Sequence, residues 1–133
     1  MNTILNRLSE IENFPTVDDS KWIDREQACQ VIGQVESKIE NGILKKKGIY
    51  DISDMEFEEA KDILLSNQSL YHNDEVLVIW GFEKFGVVIP YKVFCHFFDD
   101  LWYPSSDDVL VTDESMNNCV GISHEEIITF WSA

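Results

Sequence analysis

Carboxylates in adjacent pairs are the most obvious source of chemistry in this sequence. Asp99-Asp100, Asp107-Asp108, Asp113-Glu114 and Glu125-Glu126 all follow Lys92, after which no Lys or Arg occurs. Such pairs suit three tasks: holding a hard divalent cation, moving protons as general acid and base, or meeting a cationic partner. The pattern disfavours the first, because Asp107-Asp108 lacks the ordered Asp-x-Asn/Asp-x-Gly series of a calcium hand. His72, His96 and His124 show neither a close pair nor H-E-x-x-H spacing, so no metal ligand set is expected. His124-Glu125-Glu126 has the residue types of a general base, but Ser123-His124-Glu125-Glu126 also reads as a polar connection between two apolar strands. No serine lies in a G-x-S-x-G elbow, and no cysteine has a sequence-local activating partner. The expectation is a protein that is not an enzyme and uses no cofactor.

Composition favours the third task. The net charge of -15 argues against nucleic acid or an anionic membrane as partner, since phosphates would be repelled, and favours a basic protein. The acids are expected to gather in one place, forming a field without compensating cations. Candidate contact residues are Asp99, Asp100, Asp107, Asp108, Asp113, Glu114, Glu125 and Glu126. Trp102 and Tyr103 join them because Pro104 ends their helix and turns the chain outward. Tyr91, Phe94, Trp80 and Trp131 are assigned to the core. Within the turn, Asp107 or Ser106 has a second role open to it, accepting backbone N–H groups.

The elements that must position these residues follow from periodicity. A chain of 133 residues with 44% hydrophobic content fits one domain, residues 1–133, with a real core. There is no run of eighteen apolar residues, and the N-terminal residues lack the apolar segment of a signal peptide, which points to the cytoplasm. Cys29, Cys95 and Cys119 form an odd, widely spaced set, expected to be reduced and buried.

Thr3 is placed as the cap of a first helix carrying Ile4, Leu8 and Ile11, and Val17–Trp22 holds cap candidates for a second with Ala28, Val31, Ile32, Val35 and Ile39. Gly42 stops the second helix. Lys45-Lys46-Lys47 reads as a solvated loop, and residues 43–52 as loop or an extra edge strand. Ser53 with Glu56 forms a capping box for a third helix carrying Phe57, Ala60, Ile63 and Leu64. Val76–Trp80 is a continuous apolar run, expected to be a central strand, and Val87–Ile89 a second strand across a hairpin. Tyr91, Phe94, Phe98, Leu101 and Trp102 then recur at the spacing of one helix stripe. Three closely spaced strands follow, at Val109–Thr112, Cys119–Ile122 and Ile127–Trp131, suggesting an antiparallel meander. The class is α+β: N-terminal helices packed on a mostly antiparallel C-terminal sheet, with one inserted aromatic helix.

The stretch Phe97-Phe98-Asp99-Asp100-Leu101-Trp102-Tyr103-Pro104-Ser105-Ser106-Asp107-Asp108-Val109, followed by Ile122-Ser123-His124-Glu125-Glu126-Ile127, resembles small acidic bacterial proteins of the toxin-immunity class, as found in contact-dependent growth inhibition and polymorphic toxin systems. It covers under half the chain. The resemblance implies a cytoplasmic protein that binds and neutralises a cognate toxin, often a nuclease, and it carries over no catalytic residue. The physics agrees, because a nuclease needs a cationic groove that an acidic surface complements. Two alternatives stand beside it: a small metal-assisted hydrolase using Asp107-Asp108 and His124-Glu125, and an acidic regulator of an unrelated basic protein.

Overall fold

The computed structural model describes residues 2–133. The fold is α+β, with all seven strands in one sheet of order β1-β4-β3-β5-β6-β7-β2 and every neighbouring pair antiparallel. The strands are β1 (Trp22–Ile23), β2 (Lys45–Asp51), β3 (Val76–Trp80), β4 (Phe85–Ile89), β5 (Val109–Thr112), β6 (Asn118–Ile122) and β7 (Ile127–Ser132). Val76–Trp80 is internal as expected, since its apolar side chains meet protein on both faces. Both outer strands come from the N-terminal half. β1 is only two residues long, too short to show a period, and β2 turns the supposed lysine loop into an edge strand with a register shift between Lys46 and Gly48.

Helix boundaries follow the side chains that satisfy the first backbone N–H groups. Helix α1 (Thr3–Ser9) is capped by Asn2, whose side chain accepts from the N–H groups of Ile4 and Leu5, so the cap lies one residue before Thr3. Helix α2 (Arg25–Glu40) starts at Asp24, reciprocally bonded with Gln27, while Asp18 caps only the 3-10 turn Asp19–Lys21. Gly42 leaves α2 at a φ of 72°, the left-handed conformation that favours glycine. Helix α3 (Phe57–Leu65) begins after Glu56, three residues later than the Ser53 box predicts. Ser53 Oγ instead donates to Asp51 Oδ1 at 2.7 Å, and Glu59 accepts from the Glu56 N–H. Helix α4 (Gln68–Tyr71) is capped by Asn67.

The expected aromatic helix is two short ones, α5 (Tyr91–His96) and α6 (Phe98–Leu101), separated at Phe97. The break lets Phe94, Phe98, Leu101 and Trp102 all reach the core, where the Phe98 and Trp102 rings stack at 5.3 Å. Helices α1, α3, α4, α5 and α6 cover one face of the sheet, burying Ile4, Leu64, Leu70, Phe94 and Phe98 with Val78, Trp80, Val111, Val120 and Ile128. Helix α2 alone crosses the other face. There, Ala28 packs with Ile23 and Ile79, and Val35 packs with Leu44 and Cys119. Cys29 is exposed, contrary to expectation, while Cys95 and Cys119 are buried; all three are free thiols. Burial pushes the Cys95 thiol up to about 12 and also raises Cys119.

Candidate functional site

The turn from Tyr103 to Asp108 is a hydrogen-bonded hub. Asp107 is buried, and its Oδ2 accepts from Arg7 Nη1 at 2.7 Å and from the Tyr103 N–H at 2.8 Å. The Arg7 guanidinium also lies 3.9 Å from the centre of the Tyr103 ring, a cation–π contact. The Trp102 indole N–H donates to the Asp107 carbonyl at 3.0 Å, and that of Trp80 donates to the Leu101 carbonyl at 2.9 Å. These bonds satisfy the carbonyl end of α6 and tie α1, α6 and β3 together.

The next residue has the opposite fate. Asp108 is exposed, and its Oδ1 accepts from the His124 backbone N–H at 2.8 Å and pairs with His124 Nδ1 at 2.9 Å. The hydrogen bond and the charge of Asp108 raise the His124 pKa above its ordinary value. The Ser105 N–H donates to the His124 carbonyl, holding the Ser123–Glu126 turn against this hub.

Two residues expected at a contact surface therefore leave it. Trp102 stays inside because Phe98 stacks on it and a carbonyl accepts its indole proton; Tyr103 is the side chain that turns outward, at 44% exposure. Asp107 is neutralised in place by Arg7, in the turn-ordering role left open to it. Of the residues in the hydrolase reading, Asp108 and His124 meet, while Asp107 is turned away to Arg7. Among the described residues, no group of three or more His, Cys, Asp or Glu converges as metal ligands would.

The acids also do not gather in one place. Asp113 and Glu114 lie at the opposite end of β5 from Asp108. Asp113 is occupied in its own turn, accepting from the N–H groups of Asn117 and Asn118, from Ser115 Oγ and from Asn118 Nδ2. Lys38 closes that turn by donating to the Ser115 carbonyl at 2.9 Å. Asp99 meets Lys61 Nζ at 3.1 Å, while Asp100 is exposed beside it on α6. The cations missing from the C-terminal sequence thus arrive from the N-terminal half. What remains together is the Asp108 end of the sheet. There Glu125 is exposed, Glu126 is half-buried, and the Glu126 carbonyl accepts from the Ile52 N–H next to exposed Asp51. The Ser53 hydroxyl and N–H hold the Asp51 carboxyl below its ordinary range.

At this same end a groove of about 550 Å³ opens on the α2 face. Its wall is Ile32, Glu36 and Ile39 of α2, its floor Leu110, Gly121, Thr129 and Trp131, and its mouth Phe82, Lys84, Asp108 and Ser123. The β-ladder explains the floor: Ile79, Leu110, Gly121, Thr129 and Ile49 are paired in turn across five strands and share one face. Ile79 is fully buried near α2, whereas a Cβ at Gly121 would meet nothing within 4 Å and Ile49 is 58% exposed. Phe82, in the β3–β4 turn, is 84% exposed. Sequence reading passed over this groove. Its one local signal was a phenylalanine set among Gly81, Glu83 and Lys84, where a buried ring has no place.

No helix among the described residues is long and apolar enough to cross a membrane. Compared with family models, curated proteins and solved structures, the chain matches none.

Proposed function

We propose that this chain is an immunity-type binding protein that neutralises a basic toxin domain, a nuclease being the best fit, in the cytoplasm by covering its active or substrate-binding surface. The observation that carries this reading is an acidic sheet end, with Asp51, Asp108, Glu125 and Glu126, on a chain of net charge -15. A cationic nuclease groove complements such a surface. The contact set is reduced from the sequence expectation to Asp99, Asp100, Tyr103, Asp108, Glu114, Glu125 and Glu126, with Asp99, Asp100 and Glu114 outlying. Binding without catalysis suits the separation of Asp107 from Asp108.

The test is co-expression and co-purification with the product of the coding sequence directly upstream, provided that product ends in a basic domain. A complex whose association rate falls steeply as salt rises is the expected result, because exposed charges are screened beyond roughly 8 Å at physiological ionic strength. An association rate that is flat from low to high salt, or no complex at all, would reject the reading.

A further inference from the structure

We infer that the groove beside α2 is the anchor pocket for the partner, taking one large apolar side chain over Gly121 from a segment whose flanking Lys or Arg residues meet Glu36 and Asp108. This deepens the proposed function and rests on it for the nature of the partner.

Three observations fix the occupant's chemistry. The first is space on an apolar floor: about 550 Å³ lies within the usual size of ligand pockets, and Gly121 leaves its centre open where Leu110 on one side is already half-buried. The second is the exposed ring of Phe82 at the mouth, an aromatic group that solvent leaves uncovered and that a docked apolar side chain would cover. The third is charge. The lining carries two carboxylates, Glu36 and Asp108, against one ammonium, Lys84, which donates to the Gly81 carbonyl at 2.7 Å; a second ammonium, Lys46, lies 5.3 Å from the centre of the Trp131 ring, toward the end of the floor away from Asp108. His124 pairs with Asp108. Glu125 and Glu126 on the adjoining turn, and Asp51 at the end of β2, add no cation. An apolar anchor with basic flanks satisfies both the floor and the rim, whereas an acidic or uniformly polar segment satisfies neither. Surface anchors of this kind carry most of the energy of an interface, while the charged rim sets the encounter rate.

Gly121 gives a direct test. A Cβ at Gly121 would meet nothing within 4 Å, so Gly121→Leu has room for its side chain to enter the groove beside Leu110 and Thr129, and its melting temperature should stay close to that of the parent. Random dodecapeptides displayed on phage would be selected on the parent protein, and the enriched sequence synthesised with a fluorescent label. Enrichment of a large apolar residue flanked by Lys or Arg is expected, with affinity falling at least about tenfold in Gly121→Leu and also in Phe82→Ala. No enrichment, enrichment of acidic peptides, or equal affinity for the folded Gly121→Leu variant would overturn the inference. So would a parent protein that is dimeric in gel filtration and becomes monomeric on Gly121→Leu, since the occupant would then be a second copy.

The same variants assayed against the upstream gene product separate the two proposals. A complex that forms equally well with Gly121→Leu overturns the anchor pocket and keeps the neutralising function. A basic apolar peptide lost in Gly121→Leu, with no complex formed by that gene product, upholds the pocket and rejects the toxin.

Discussion

Trp80, Phe98 and Trp102 are buried on the face of the sheet that five helices cover, whereas on the opposite face only α2 keeps water away, and the row from Ile79 to Ile49 passes from full burial to open solvent. The strands are the same; the covering differs. Where α2 is absent, the row passes through Gly121 and Thr129 and ends in exposed Ile49. The difference separates tasks by location: the covered face holds the fold together, and the open face is free to meet something else without loss of core.

The sharpest way to break this comparison is to remove a large side chain from the covered face. Trp102→Ala should cost about 3–5 kcal/mol in chemical denaturation, the range for deleting a buried aromatic ring, and it also orphans the Asp107 carbonyl. A loss under about 1 kcal/mol would mean that the ring is not packed as described.

Arg7→Ala comes next at roughly 3 kcal/mol, because it strands the Asp107 carboxylate in its buried site. Replacing both partners in Arg7→Ala/Asp107→Asn should recover part of that loss. Failure to recover any would show that Arg7 acts only through its contact with Tyr103.

Two glycines sharpen the comparison within a single row, since Gly86 pairs with Ile79 just as Gly121 pairs with Leu110. A Cβ on Gly86 would collide with the Val78 carbonyl oxygen, so Gly86→Ala should lower stability by about 2 kcal/mol as the backbone shifts. Gly121→Leu should leave it close to that of the parent. Equal thermal shifts in the two variants would mean that the two ends of the row do not differ.

The smallest effect is one of titration. The raised pKa of His124 means that its pairing with Asp108 is fully present below the ordinary value of 6.5 and is lost as pH rises through the higher folded value. In Asp108→Asn the His124 resonance, followed by NMR, should titrate at lower pH than in the parent. An unshifted midpoint would show that the two side chains do not pair in solution.

What the sequence disclosed depended on how local the signal was. Val76–Trp80 was legible because a continuous β-branched run has few other uses than a strand covered on both sides. The three-residue slip at Ser53 came from overlapping patterns: Ser53-x-x-Glu56 and Glu56-x-x-Glu59 both read as caps, and only the pull of Asp51 on the serine hydroxyl decides between them. The break at Phe97 has no glycine or proline to announce it. Asp107 and Asp108 look alike in sequence, and the residues that part them, Arg7 and His124, lie 100 positions and 16 positions away. The groove escaped because it is defined by a helix that ends its coverage partway across the sheet, a property of packing that no strand's own sequence states.

The register shift in β2 has a consequence for how this chain behaves in crowded solution. Lys47 is the extra residue between Lys46, opposite Trp131, and Gly48, opposite Phe130, so the outer rim of the sheet is kinked where three ammonium groups sit in succession. A strand arriving from another molecule would find misaligned donors and acceptors and would have to desolvate those charges. The opposite rim offers only the two residues of β1. Templated strand addition is therefore disfavoured at both rims, even though the sheet is open rather than closed into a barrel.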